Sequence, residues 1–167
     1  VIVGQVVDST GVAVADARVS AYASSGVTAA TTDPFGSFVL ADLAAGDVHL
    51  FVDPVEPGLL DEWFGGSATL ANSTPVVIDG PGAFVAVGKV VARPASSVSG
   101  QVTDDLGEPL LFTKVTATPS GPGASQSVHT ATNGSYTLTG LRPGSYVVSF
   151  ESGILRPPWS GPAGVFY

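Results

Sequence analysis

The chain repeats itself. Gly4-Gln5-Val6-Val7-Asp8, followed by Gly11, returns as Gly100-Gln101-Val102-Thr103-Asp104, followed by Gly107. The offset of 96 residues persists through Val19/Val115 and Ala21/Ala117. A second block, Gly36-Ser37-Phe38 with Leu40, Leu43 and Gly46, returns at an offset of 98 as Gly134-Ser135-Tyr136 with Leu138, Leu141 and Gly144. Two residues have entered the loop between the blocks, around Pro119 to Ala124. Ordered matches at two offsets that differ by one short insertion mark two copies of one module. The fold must therefore fit twice into 167 residues. The junction falls near Ala92-Arg93-Pro94-Ala95, so the expected domains are residues 1–94 and 95–167.

Each copy reads as short strands. Ala17 to Ala23 sets Val19, Ala21 and Ala23 against Arg18, Ser20 and Tyr22, and Asp47 to Asp53 sets Val48, Leu50 and Val52 against His49 and Phe51. This period of two marks half-buried strands. Val1 to Asp8, Val27 to Thr32, Ser37 to Leu40, Val76 to Ile78 and Phe84 to Ala92 complete the first copy, and Tyr146, Val148 and Phe150 share a face in the second. Asp33-Pro34-Phe35-Gly36 and Asn133-Gly134 supply the turn chemistry. The 25 Val against 12 Leu, with no Met, favour a pleated surface. Gly 21 and Pro 13 work against long helices, and the only helical turn expected is a short one over Leu59 to Phe64. Such strands at this spacing describe an all-β chain of two small sandwiches. Val6, Val19, Phe38, Leu40 and Leu50 should point inward, matched by Val102, Val115, Tyr136, Leu138 and Val148.

The opening Gly-x-Val-x-Asp-x-x-Gly, the Thr-Asp-x-x-Gly-Ser-Phe turn and Gly140-Leu141-Arg142-Pro143-Gly144-Ser145-Tyr146 resemble the carboxypeptidase regulatory-like modules. The resemblance covers about residues 1–52 and 97–150. It implies two tandem prealbumin-like (Ig-like, transthyretin-like) β-sandwich domains, related to the B-type repeats of Gram-positive collagen adhesins. Asp61-Glu62-Trp63-Phe64-Gly65-Gly66 resembles longer versions on actinobacterial secreted proteins. Adhesins of this kind often carry a Lys–Asn cross-link, which needs a Lys on the first strand. Here the first strands present Val3, Gln5, Val98 and Gln101, the only lysines are Lys89 and Lys114, and Asn72 and Asn133 read as loop residues. The resemblance stops short of that feature.

Composition excludes several classes of function. A formal charge of −8 repels phosphate backbones, so no nucleic-acid partner is expected. With Cys 0, disulfides, thiol catalysis and Cys-ligated metals are excluded. No run of eighteen apolar residues spans a membrane. Opening on Val1, without Met or a charged leader, suggests a processed chain or a piece of a longer one. His49 and His129 lie at non-equivalent points and are read as strand residues; two such His are too few for zinc. No Gly-x-Ser-x-Gly elbow is present, and Gly121-Pro122-Gly123 opens no helix. Asp104-Asp105 with Glu108, and Asp61-Glu62 with Asp53 and Glu56, lack calcium-loop spacing and read as solvated turn charges. No metal, cofactor or catalytic residue is expected.

Aromatics are the remaining candidates. Trp63-Phe64 and Trp159 follow the Phe51 and Phe150 strands at comparable places. A ring in a Gly/Pro-rich loop stacks on a sugar, covers the end of its own sandwich or fills the junction between the copies, and repetition favours a structural role over the sugar platform. The leading expectation is a non-catalytic structural or assembly module of a secreted or cell-surface protein, a stalk, adhesin-like or filament-forming repeat. The alternative is a carbohydrate-binding accessory module of a secreted hydrolase, with a surface glycan as partner. A weaker rival is a fragment of an enzyme whose catalytic part lies elsewhere.

The second copy looks shorter: seventeen residues follow Phe150, whereas Val76 to Ala92 follow Phe51 in the first. Two expectations follow equally: a strand is added to it, from Val1–Val7 or Val165–Tyr167 of a neighbouring copy or from the continuation of the chain, or the natural chain simply runs on beyond this piece.

Overall fold

The computed structural model describes residues 1–56 and 58–151. The described residues form strands β1 (Ile2–Asp8), β2 (Arg18–Ala23), β3 (Gly26–Thr31), β4 (Ser37–Leu40), β5 (Gly46–Asp53), β6 (Glu62–Trp63), β7 (Val76–Ile78) and β8 (Val85–Ala92) in the first copy. The second contributes β9 (Ser96–Gln101), β10 (Lys114–Pro119), β11 (Gln126–His129), β12 (Ser135–Leu141) and β13 (Tyr146–Glu151). The chain is all-β. It forms two compact units: Val1–Ser96 with Gly121–Gly123 and Thr139–Gly144, and Ser97–Ser120 with Ala124–Leu138 and the segment from Ser145.

In unit 1, β1 lies between β4 and β8 in one sheet, antiparallel to β4 and parallel to β8. The other sheet runs β3-β2-β5-β6, and β7 also pairs with β5, at its Gly46–Val48 end. Period-two alternation decides which side chains meet between the sheets. Ile2, Val6, Val19, Ala21, Leu40, Val48 and Leu50 are fully buried, with Phe38 and Val52 nearly so. Each large aliphatic side chain there contributes about 1.5–3 kcal/mol of burial. Because Ile2 and Val6 are sealed in the centre of a sheet, Val1–Val7 is not a spare strand for a neighbouring copy. Central pairing overrides the expectation of donation.

Leu59 to Phe64 forms no helical turn. Glu62 and Trp63 instead pair with Val52 and Phe51, because satisfying the edge of β5 outweighs any local preference. A single 3₁₀ turn, Leu70–Asn72, is found among the described residues.

In unit 2, β10 lies between β11 and β13, and β9 pairs with β12. The local frame copies that of unit 1. Gln5 Nε2 donates to Phe35 O at 2.8 Å, and Gln101 Nε2 to Asn133 O at 2.7 Å. Asp8 Oδ1 accepts from the amides of Thr10 and Val12, and Asp104 Oδ1 from those of Leu106 and Glu108. Gly4 and Gly100 are glycine for a steric reason: a Cβ would strike the rings of Phe38 and Tyr136. The expected inward residues divide. Val6, Val19, Phe38, Leu40 and Leu50 are all buried, as are Val115 and Leu138, but Val102, Tyr136 and Val148 are only half-buried.

Candidate functional site

The strongest sequence candidates, Trp63 and Phe64, lie on and just after β6 in unit 1. Pairing to β5 places the Trp63 ring 5.1 Å from Phe51 and 5.0 Å from Tyr22, centroid to centroid, tilted by 60° and 56°. Tilted contacts of this kind are worth about 0.5–1.5 kcal/mol each beyond burial. Phe64 turns the other way and packs against the buried core. Its amide donates to Leu50 O at 2.8 Å and its carbonyl accepts from Thr74 N at 2.9 Å, which fixes the chain beyond β6. Trp159 lies outside the described residues.

Trp63 and Phe64 line a cleft of about 320 Å³ with Val52, Leu60, Glu62 and Arg93. Expected among the solvated turn carboxylates, Glu62 is instead buried, at 6% exposure. Arg93 holds it bidentately through Nε and Nη2, both at 2.9 Å, and Arg142 Nη1 of the same unit adds a third bond at 2.7 Å. Burying a carboxylate is costly unless charged donors satisfy both oxygens, and here they do. Arg93 also donates to Gly66 O, so the ion pair fastens the Glu62–Gly66 loop to the end of β8. Sequence spacing could not reveal this pair: 31 residues separate Glu62 from Arg93.

His49 Nδ1 lies 2.6 Å from Ser73 Oγ, and Ser73 Oγ donates to Leu70 O at 2.7 Å. The serine's one proton is thus committed, so the imidazole must be the donor. This chain of bonds secures the 3₁₀ turn. At the first turn, bonding from the Thr10 hydroxyl, joined by the Val12, Thr10 and Gly11 amides, holds the Asp8 carboxyl below its ordinary pKa. Among the described residues no three His, Cys, Asp or Glu side chains group as metal ligands, and no helix is long and apolar enough to cross a membrane.

Comparison with known proteins matches the carboxypeptidase regulatory-like domain to residues 1–59 and again to residues 97–159. The chain belongs to that family. Membership accounts for the duplicated Gly-x-Val-x-Asp openings and identifies both units as carboxypeptidase regulatory-like, prealbumin-like sandwiches. No curated protein matches by sequence. The solved structure of the Bacillus anthracis TIE protein is similar at TM-score 0.42 and 16% identity, over 89% of this chain and 28% of that one. The Streptococcal ancillary pilin is similar at TM-score 0.44 and 17% identity, over 89% of this carboxypeptidase regulatory-like chain and 52% of the pilin chain. The chain thus spans about a quarter and about half of these two structures.

Proposed function

We propose that this chain is a non-catalytic structural module of a secreted or cell-surface protein, in which domains 1–94 and 95–167 space and present other parts and associate with neighbouring repeats by strand addition. The observation that supports it best is how the buried polar side chains are used. Glu62 fastens a loop to β8, Ser73 closes a turn, and Thr32 and Thr130 tie the residues just after β3 and β11 to the loops before β2 and β10. These groups, which in a reactive site would face a substrate, are bonded to the protein's own frame. In this reading Trp63 and Phe64 seal the end of their sandwich.

Two measurements test it. Trp63→Ala should lower stability by at least about 1–3 kcal/mol, the sum of the two ring contacts before any burial is added, and a glycan array should return no saturable binding. Saturable binding to a sugar, lost in Trp63→Ala with an unchanged melting midpoint, would replace the structural role with a carbohydrate-binding one.

A further inference from the structure

The turn that enters β12 is capped differently from its counterpart before β4. In unit 1, Asp33 Oδ1 accepts from Phe35 N at 2.9 Å and from Ser37 N at 2.8 Å. Ser135 corresponds to Ser37, but Ala131 stands in the place of Asp33. Asn133 supplies the missing acceptor: its Oδ1 takes Ser135 N at 3.1 Å and Ser135 Oγ at 2.7 Å. Gly134 follows it, and the fold needs glycine there, because φ is +74° and a Cβ would strike Val102 O. An asparagine before glycine is open to one intramolecular reaction, attack of the following nitrogen on the side-chain amide carbon, since no Cβ blocks ring closure. Asn133 is exposed. Both Ser135 donors lie on the oxygen that gains negative charge in that attack.

We infer that Asn133 is a site of spontaneous deamidation, and that the turn retains the aspartate so formed. Gly134 N–H first leaves Ala131 O, a bond of 2.9 Å in an exposed turn. The nitrogen gives its proton to solvent and bonds to Asn133 Cγ; the side-chain nitrogen takes up a proton and departs as ammonia, leaving a cyclic imide. Water then adds at Cγ, the bond from Cγ to Gly134 N breaks, and a carboxylate stands where the amide was. That carboxylate keeps the Ser135 amide as its donor, as Asp33 keeps that of Ser37. A charge-assisted bond of this kind is about twice as strong as a neutral one. Opening the imide at its other carbonyl would instead insert a carbon into the main chain. The turn has no slack for it, because Gln101 Nε2 holds Asn133 O at 2.7 Å and Val102 N holds Gly134 O at 2.9 Å.

The test incubates the full chain at neutral pH beside a peptide of residues 131–137, and follows both by mass-spectrometric mapping that separates aspartate from isoaspartate. Acid should accumulate at Asn133 and not at Asn72, where Ser73 follows and carries a side chain. Aspartate should form a larger share of the product in the chain than in the peptide. Ser135→Ala should slow conversion in the chain about two- to tenfold, the rate equivalent of one hydrogen bond, while Ser135→Thr keeps the parent rate. Asn133→Asp should melt no lower than the fresh chain. An Asn133 amide still intact when the peptide has converted, equal conversion at Asn72 or a product mixture matching the peptide's would overturn the inference. So would a parent rate in Ser135→Ala, a Ser135→Thr rate as slow as the parent rate lost to alanine, or a lower melting midpoint in Asn133→Asp.

Discussion

Thr32 and Thr130 make the same two bonds in the two repeats. Thr32 Oγ1 accepts from Ala17 N at 2.9 Å and donates to Val14 O at 2.7 Å; Thr130 Oγ1 accepts from Thr113 N at 2.9 Å and donates to Leu110 O at 2.6 Å. Both side chains are buried, at 3% and 2% exposure. One hydroxyl thus satisfies a donor and an acceptor that ladder pairing leaves over. Thr32→Val and Thr130→Val keep the shape and orphan both groups, so each should cost about 1–3 kcal/mol in chemical denaturation. The matching Ser variants should cost less, because they keep the hydroxyl.

Thr113 behaves in the opposite sense. Its own Oγ1 is buried without a partner, and the equivalent position in the first repeat is Ala17. A buried unsatisfied hydroxyl is a net cost. Thr113→Val should raise the denaturation midpoint of the second unit, by about 1 kcal/mol of stability, where most core substitutions lower it.

Equivalent apolar positions should give unequal losses. Ile2 is fully buried and Val98 is 38% exposed. Ile2→Ala should destabilise by about 2–5 kcal/mol through the cavity it leaves. Val98→Ala should cost below about 1 kcal/mol, because its surroundings are already open to water. Denaturation of the two variants under one set of conditions measures the difference.

Acid should weaken the first turn. The Asp8 carboxyl titrates below its ordinary value near 3.8, so in acid the unfolded chain takes up its proton first. The stabilisation is complete above that ordinary value and is lost as pH falls through the lowered native one. Asp8→Asn should therefore show a flatter fall in melting midpoint than the unmodified chain between about pH 4 and pH 2. Parallel curves would remove Asp8 from the acid response.

The duplication, the all-β class and most strand positions were legible because they rest on local signals: period-two valines and the Asp33–Gly36 and Asn133-Gly134 turns. The inward faces of both copies were legible too, down to Leu40 and Leu138. Burial was not, since Val102, Tyr136 and Val148 carry the same pattern as their sealed equivalents yet lack covering strands among the described residues. Pattern reports which way a side chain points, not whether another strand lies over it. Glu62 was misread for a related reason: its partners are remote in sequence, so the pair has no local signature. Thr32 and Thr130 did leave a signal, an identity at the 98-residue offset, obscured because threonine on a strand looks like ordinary surface.

The central claim is that one sandwich is built twice, with β9 of the second copy paired to β12 alone among the described residues. Residue-by-residue hydrogen exchange of the chain tests it most directly, because edge amides facing water exchange far faster than amides paired in a sheet. The amides of Val3 to Val7 should be protected without interruption, as expected for a strand paired on both sides. Along Ser96–Gln101 protection should alternate, slow for amides facing β12 and fast for those facing outward. Uninterrupted slow exchange along β9, matching β1, would contradict the account.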